Sequence, residues 1–132
     1  MESLLLEGLR LLIVEDEFLI AMDVEQLCRD HGAAEAVVIG TAADLGAAPA
    51  SLADVDAAIL DVMVEGRPTL DFARSLAERG IPFIFATGYS DRGDVLSAFP
   101  GVRVVGKPYA GDDIVEALAA ALAAARGAGA AG

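Results

Sequence analysis

Basic residues are scarce in this chain: nine lysines and arginines stand against 21 aspartates and glutamates, giving a formal net charge of −12 over 132 residues. Nucleic-acid binding rests on clustered cations that displace counterions from phosphates, so this balance disfavours a direct phosphate-backbone partner. Cysteine is scarcer. Cys28 stands alone, which leaves no disulfide framework and no cysteine-based metal site, and fits a core thiol in a reducing compartment. Long hydrophobic runs are also missing. The positive mean hydropathy comes largely from alanine, and no window holds the roughly 18 strongly apolar residues of a membrane span. The first residues carry no basic leader and too short an apolar run for a signal peptide. The reading is a cytoplasmic protein with no nucleic-acid and no membrane partner.

Nucleotide-site motifs are absent or broken. No Gly-x-Gly-x-x-Gly follows the first apolar run, as a dinucleotide fold requires. Gly101 to Lys107 has phosphate-loop spacing, but Pro108 replaces the Ser/Thr that should hold Mg²⁺, and its middle reads as strand rather than loop. The lone histidine, His31, sits at a helix end, where it suits the dipole better than it suits a ligand or phosphodonor role.

What is present is organised around Ala57-Ala58-Ile59-Leu60-Asp61-Val62-Met63, an apolar run interrupted by an acid. It is too apolar to have a wet face and suits a strand buried on both sides of a parallel sheet. The same pattern precedes it: Leu9 to Val14 reads as a strand ending on Glu15-Asp16-Glu17. Phe18 to His31 follows as a helix with Ile20, Met22, Val24, Leu27 and Cys28 on its inner side and Gly32 at C′. Ala36 to Ile39 is the next strand, and Ala43 to Ala53 a weak helix broken at Pro49. After a loop at Val64 to Arg67, Pro68 suits the first turn of a helix running to Arg79, with Leu70, Phe72, Ala73, Leu76 and Ala77 inward. Ile81 to Ala86 is the fourth strand and Val102 to Val105 the fifth, with a short helix, Asp91 to Phe99, between them. Asp112 caps the last helix, whose apolar positions are Ile114, Val115, Leu118 and Leu122.

Five strands alternating with five helices call for right-handed crossovers and a doubly wound α/β sheet, of flavodoxin-like order 2-1-3-4-5. The domain is expected over residues 9–122, with 1–8 an N-terminal extension and 123–132 an Ala/Gly-rich tail that is a frayed helix end or floppy terminus. The carboxyl edge of such a sheet is where ligands bind. Glu15 and Asp16 after the first strand, Asp61 after the third, Thr87 after the fourth and Lys107 after the fifth all fall there. Three clustered carboxylates repel one another unless a cation joins them, and an all-oxygen set suits Mg²⁺. Lys107 can pair with Asp61 or a phosphoryl oxygen, and Thr87 can donate to that oxygen. The set reads as a phosphoryl-transfer site in which Asp61 is the nucleophile, Asp16 a direct metal ligand and Glu15 a ligand through water.

From Leu9 to Leu122 the chain resembles a response-regulator receiver domain of the CheY-like superfamily, in which an acidic pair, an acceptor Asp, a Thr/Ser and a Lys-Pro occupy these strand ends in this order. The resemblance implies a main-chain carbonyl at Met63 as a third protein ligand to the metal and a cis Lys107-Pro108 peptide that aims the lysine. It also makes Met63 and Tyr89 the positions that tune dephosphorylation. Both are bulky, so a long-lived phosphoryl group is expected. One departure stands out: the family's usual fifth-strand aromatic is Val104. Phe85-Ala86-Thr87-Gly88-Tyr89 resembles the "FATGY" subgroup of stand-alone receivers, which makes Tyr89 the candidate replacement switch.

The function so implied is a single-domain response regulator of a two-component system or phosphorelay. A histidine kinase or histidine phosphotransfer protein phosphorylates it, and it is not an enzyme beyond catalysing its own phosphorylation and dephosphorylation. It signals to a protein target through the Asp91 to Leu122 surface, as a monomer or weak dimer. A phosphorylation-independent binding module is the alternative. A phosphohydrolase is disfavoured, because the second Asp such enzymes need two residues past the nucleophile is here Met63.

Overall fold

The apolar runs become the strands of one sheet, and their alternation decides which helix covers which face. The structure, a computed structural model, describes residues 5–47, 54–87, 97–99, 101–106 and 113–131. Along these run β1 (Arg10–Val14), α1 (Phe18–Asp30), β2 (Glu35–Ile39), α2 (Ala42–Ala47), β3 (Ala57–Asp61), β4 (Met63–Val64), β5 (Arg67–Pro68), α3 (Leu70–Glu78), β6 (Phe83–Thr87), β7 (Val104–Gly106) and α4 (Asp113–Ala131). The main sheet has the order β2-β1-β3-β6-β7, and all its pairings are parallel. With the small β4-β5 hairpin counted apart, this is the expected 2-1-3-4-5 order.

Side chains alternate across each strand. Leu12, Val14, Ala58, Leu60, Phe83 and Phe85 pack on one face with Leu45 of α2 and Phe72, Ala73 and Leu76 of α3. Leu11, Ile13, Ala57, Ile59, Ile84 and Ala86 pack on the other with Val24 and Cys28 of α1 and Ile114, Val115, Leu118 and Leu122 of α4. Truncating a large side chain in either layer costs about 2–5 kcal/mol, since close packing leaves a cavity behind. The double coverage is what lets Leu11–Val14, Ala57–Leu60 and Phe83–Ala86 be apolar without a break, whereas the edge strand β2 leaves Val37 and Val38 exposed.

Several expectations need correction. Pro68 is not in the first turn of a helix: it lies in β5, paired with Met63, and α3 starts at Leu70 after Thr69. Thr69 is wholly buried, and its own amide donates to the Val62 carbonyl at 2.8 Å. That bond holds the chain in the hairpin until Thr69 has been passed. Met22 is half exposed while Ala21 is buried, because the inner stripe of α1 runs Ala21, Val24, Cys28 at helical spacing. Ala77 is likewise exposed. Leu6, in the segment read as an extension, is fully buried against Leu11 and the α1 layer, and its amide donates to the His31 carbonyl at 3.0 Å. α4 continues through Ala131, into the Ala/Gly stretch. Gly32 has φ +96°, the left-handed C′ geometry expected after α1. Among the described residues no helix is long and apolar enough to cross a membrane.

Candidate functional site

Strand register gathers the acids. Val14 pairs with Leu60, so Glu15 and Asp61, the next residues on each strand, leave the sheet side by side at its carboxyl edge. Asp61 is level with Ala86, and Thr87 follows, level with Gly106 of β7. The edge is thus shared by the ends of four strands.

At its centre, one carboxylate oxygen each from Glu15, Asp16 and Asp61 lies within 4.8 Å of the others. Glu15 is only 4% exposed, whereas Asp61 is half-buried and Asp16 exposed. Like charges at this separation repel by roughly 3 kcal/mol per pair at an effective dielectric of about 20, so a cation between them is strongly favoured. Three hard oxygen donors fit Mg²⁺ better than a soft metal, for which the described residues contribute no sulfur or imidazole to the group.

Main-chain amides orient the set. Glu17 N–H donates to Glu15 Oε2 at 3.0 Å, Glu65 N–H to Asp16 Oδ2 at 2.9 Å, and Met63 N–H makes a longer approach of 3.4 Å to Asp61 Oδ1. Beneath Asp61, the Thr69 hydroxyl donates to the Asp61 carbonyl at 2.6 Å and approaches that of Val62 at 3.1 Å. The chain leaving β3 is therefore held at a fixed angle, and Met63 opens the hairpin directly beside the acids.

Of the residues singled out from sequence, Glu15, Asp16 and Asp61 are brought together. Met63 lies in β4, half-buried against the α2-α3 layer. Val104 pairs in register with Phe85 and packs against the same layer, where Phe83, Phe85 and Phe99 form edge and tilted ring contacts. Thr87 is the last residue of β6. Tyr89, Lys107, Pro108 and Asp112 lie outside the described residues, as does most of the expected 91–99 helix. Two residues went unnoticed in the sequence: Thr69, masked by the reading of Pro68, and Glu65, whose Glu-Gly pair between Val64 and Arg67 is a weaker hairpin signal than Asn-Gly or Asp-Gly. Cys28 takes no part. Burial, and secondarily the nearby Glu25 charge, push its thiol up to about 12.

No protein-family model matches the chain. A curated relative, the transcriptional regulatory protein PdtaR of Mycobacterium tuberculosis, is 32% identical over 115 residues, covering 83% of this chain and 54% of its own length. The chain thus spans about half the length of the curated relatives it matches. The solution structure of SdrG from Sphingomonas melonis Fr1 is 37% identical with a TM-score of 0.67, and the alignment covers 96% of this chain and 99% of that one. A response regulator receiver protein from Sinorhizobium medicae WSM419 superposes with a TM-score of 0.79 at 21% identity, covering 91% of this chain and 98% of its own.

Proposed function

The chain belongs to the response-regulator receiver domains, and from that premise we propose that it accepts a phosphoryl group on Asp61 from a phosphohistidine of a histidine kinase or histidine phosphotransfer protein. The observation that carries this reading is the convergence of Glu15, Asp16 and Asp61 within 4.8 Å at the end of the central strand.

The residues divide the work. An Asp61 carboxylate oxygen attacks phosphorus in line, the P–N bond to the donor imidazole breaks, and the imidazole leaves neutral once it is protonated. Glu15, Asp16, Asp61 and the Met63 carbonyl would hold Mg²⁺, which supplies charge compensation for the transferring oxygens when bound. Thr69 keeps the Asp61 main chain still, so that its carboxylate meets phosphorus from one direction. By family resemblance, Thr87 donates to a phosphoryl oxygen and Lys107 pairs with it, and the protein catalyses only its own phosphorylation and dephosphorylation.

Two surfaces suit protein partners. Phe18 and Leu19, at the first turn of α1 just after the acids, are 73% and 74% exposed, with Met22 one turn on at 49%; an apolar patch of this kind fits the helix of a phosphodonor. For the target, the reading assigns the Asp91 to Leu122 surface, of which β7 and the first turns of α4 line a cleft through Arg103, Gly106, Asp113 and Glu116. Tyr89, within the FATGY sequence, takes the switch role that Val104 cannot.

The test is incubation with acetyl phosphate or a phosphorylated kinase in Mg²⁺, read by intact mass. Wild type gains one phosphoryl group and Asp61→Asn gains none. An unlabelled wild type that binds Mg²⁺ would point instead to the phosphorylation-independent binding module.

A further inference from the structure

Glu65 is the one non-glycine with positive φ among the described residues, at 51°, followed by Gly66 at 76°. Two successive positive values in a two-residue loop make a type I′ turn, which glycine and asparagine adopt most easily. A bulky acid holding this conformation calls for compensation, and strained positions of this sort cluster where geometry matters to function. Glu65 is tied at both ends. Its amide reaches Asp16, 49 residues earlier in the chain, and its Oε1 accepts the Ala42 amide at 2.7 Å, at the start of α2. The hairpin's base is fixed as well: Val64 is fully buried and Thr69 grips the turn out of β3.

We propose that the Glu65-Gly66 turn is a clasp that presets Asp16 for the cation, with Glu65 as a positioning residue. The inference rests on the Mg²⁺-dependent reading of the site. Asp16 is the exposed member of the acid set, and its side chain would otherwise sample several rotamers. The left-handed turn aims the Glu65 amide at Oδ2, which restrains the carboxylate by a charge-assisted bond while Oδ1 is left out of that bond. The turn keeps its place because the Glu65 side chain is moored to α2. The same six-residue hairpin begins with Met63, so one element sets both Asp16 and the main-chain carbonyl assigned to the metal. Outer-shell partners that orient ligands in this way commonly govern metal affinity.

The experiment titrates the unphosphorylated protein with Mg²⁺ by calorimetry, alongside unfolding midpoints in EDTA. Glu65→Ala, which cuts the mooring, should weaken Mg²⁺ binding about tenfold, the lower end for an outer-shell partner. Glu65→Gly should lose as much even though its backbone is relaxed, which separates mooring from strain and guards against a misfolded alanine variant. Glu65→Gln keeps an acceptor for Ala42 and should bind like wild type. Unchanged or tighter binding by Glu65→Ala and Glu65→Gly overturns the clasp, and so does a Glu65→Gln loss equal to that of Glu65→Ala, which would make the effect one of charge. A wild type that binds no Mg²⁺ overturns the underlying reading, and the clasp with it.

Discussion

The two edges of the sheet use acids in opposite ways. At the amino edge, Arg10 gathers them: its guanidinium lies 3.6 Å from Glu35 and 3.5 Å from Asp54, and its amide donates to Asp56 Oδ2 at 2.8 Å. There the Arg10 guanidinium offsets the charge of Glu35 and Asp54 while its amide donates to Asp56, and the acids tie the starts of β1 and β2 to the segment leading into β3. At the carboxyl edge, the amides of Glu17, Met63 and Glu65 orient Glu15, Asp61 and Asp16. An amide dipole aims a carboxylate without cancelling its charge. The first arrangement ties strand starts together, and the second gathers three carboxylate oxygens within 4.8 Å, a set that could hold a metal ion.

The comparison can be broken by loosening each edge in turn. Thr69→Val removes a buried hydroxyl from beneath Asp61 and leaves main-chain carbonyls short of a donor; it should cost about 1–3 kcal/mol in denaturant unfolding and slow phosphorylation as well. Arg10→Gln opens the other edge. Arg10 and Glu35 are about half exposed and Asp54 is 78% exposed, so the loss should stay below about 1 kcal/mol, and the phosphorylation rate should not change. A stability cost for Arg10→Gln above that for Thr69→Val would reverse the assignment of the two edges.

Smaller effects sharpen the picture. Met63→Ala and Tyr89→Ala should each shorten the phosphoryl lifetime severalfold, measured as decay of the phosphorylated mass after removal of donor; equal lifetimes would rule out a gating role for either side chain. Cys28, on neither edge, should resist alkylation at pH 8 until the chain unfolds. Its folded pKa of about 12 lies above the ordinary 9.0, so its contribution to stability is complete below pH 9.0 and declines as pH rises toward 12. Loss of stability between pH 7 and 8 would have to come from another group.

Much of the fold is legible because both sheet faces are covered: Leu11 to Val14, Ala57 to Leu60 and Phe83 to Ala86 are buried without a break and read as strands on apolarity alone. The acids Glu15, Asp16 and Asp61 were legible because each interrupts or ends such a run. The hairpin was not. Two-residue strands are too short to show a period, and Pro68 mimics a helix start in a chain that in fact stays extended until Thr69. Met22 was misplaced because apolar character alone does not fix its angle on α1, where the smaller Ala21 lies on the inner stripe. Leu6 fell in the stretch read as an N-terminal extension, and only the tertiary fold shows it packed with Val24 and Cys28 of α1.

The most direct measurement is phosphoryl incorporation from acetyl phosphate, with and without Mg²⁺, for wild type, Asp16→Asn and Asp56→Asn, read by intact mass. Label on wild type and Asp56→Asn that requires Mg²⁺, with little or none on Asp16→Asn, is the expected result. Equal label on all three proteins, or label that ignores Mg²⁺, would contradict the division between the two edges and the role given to the acids beside Asp61.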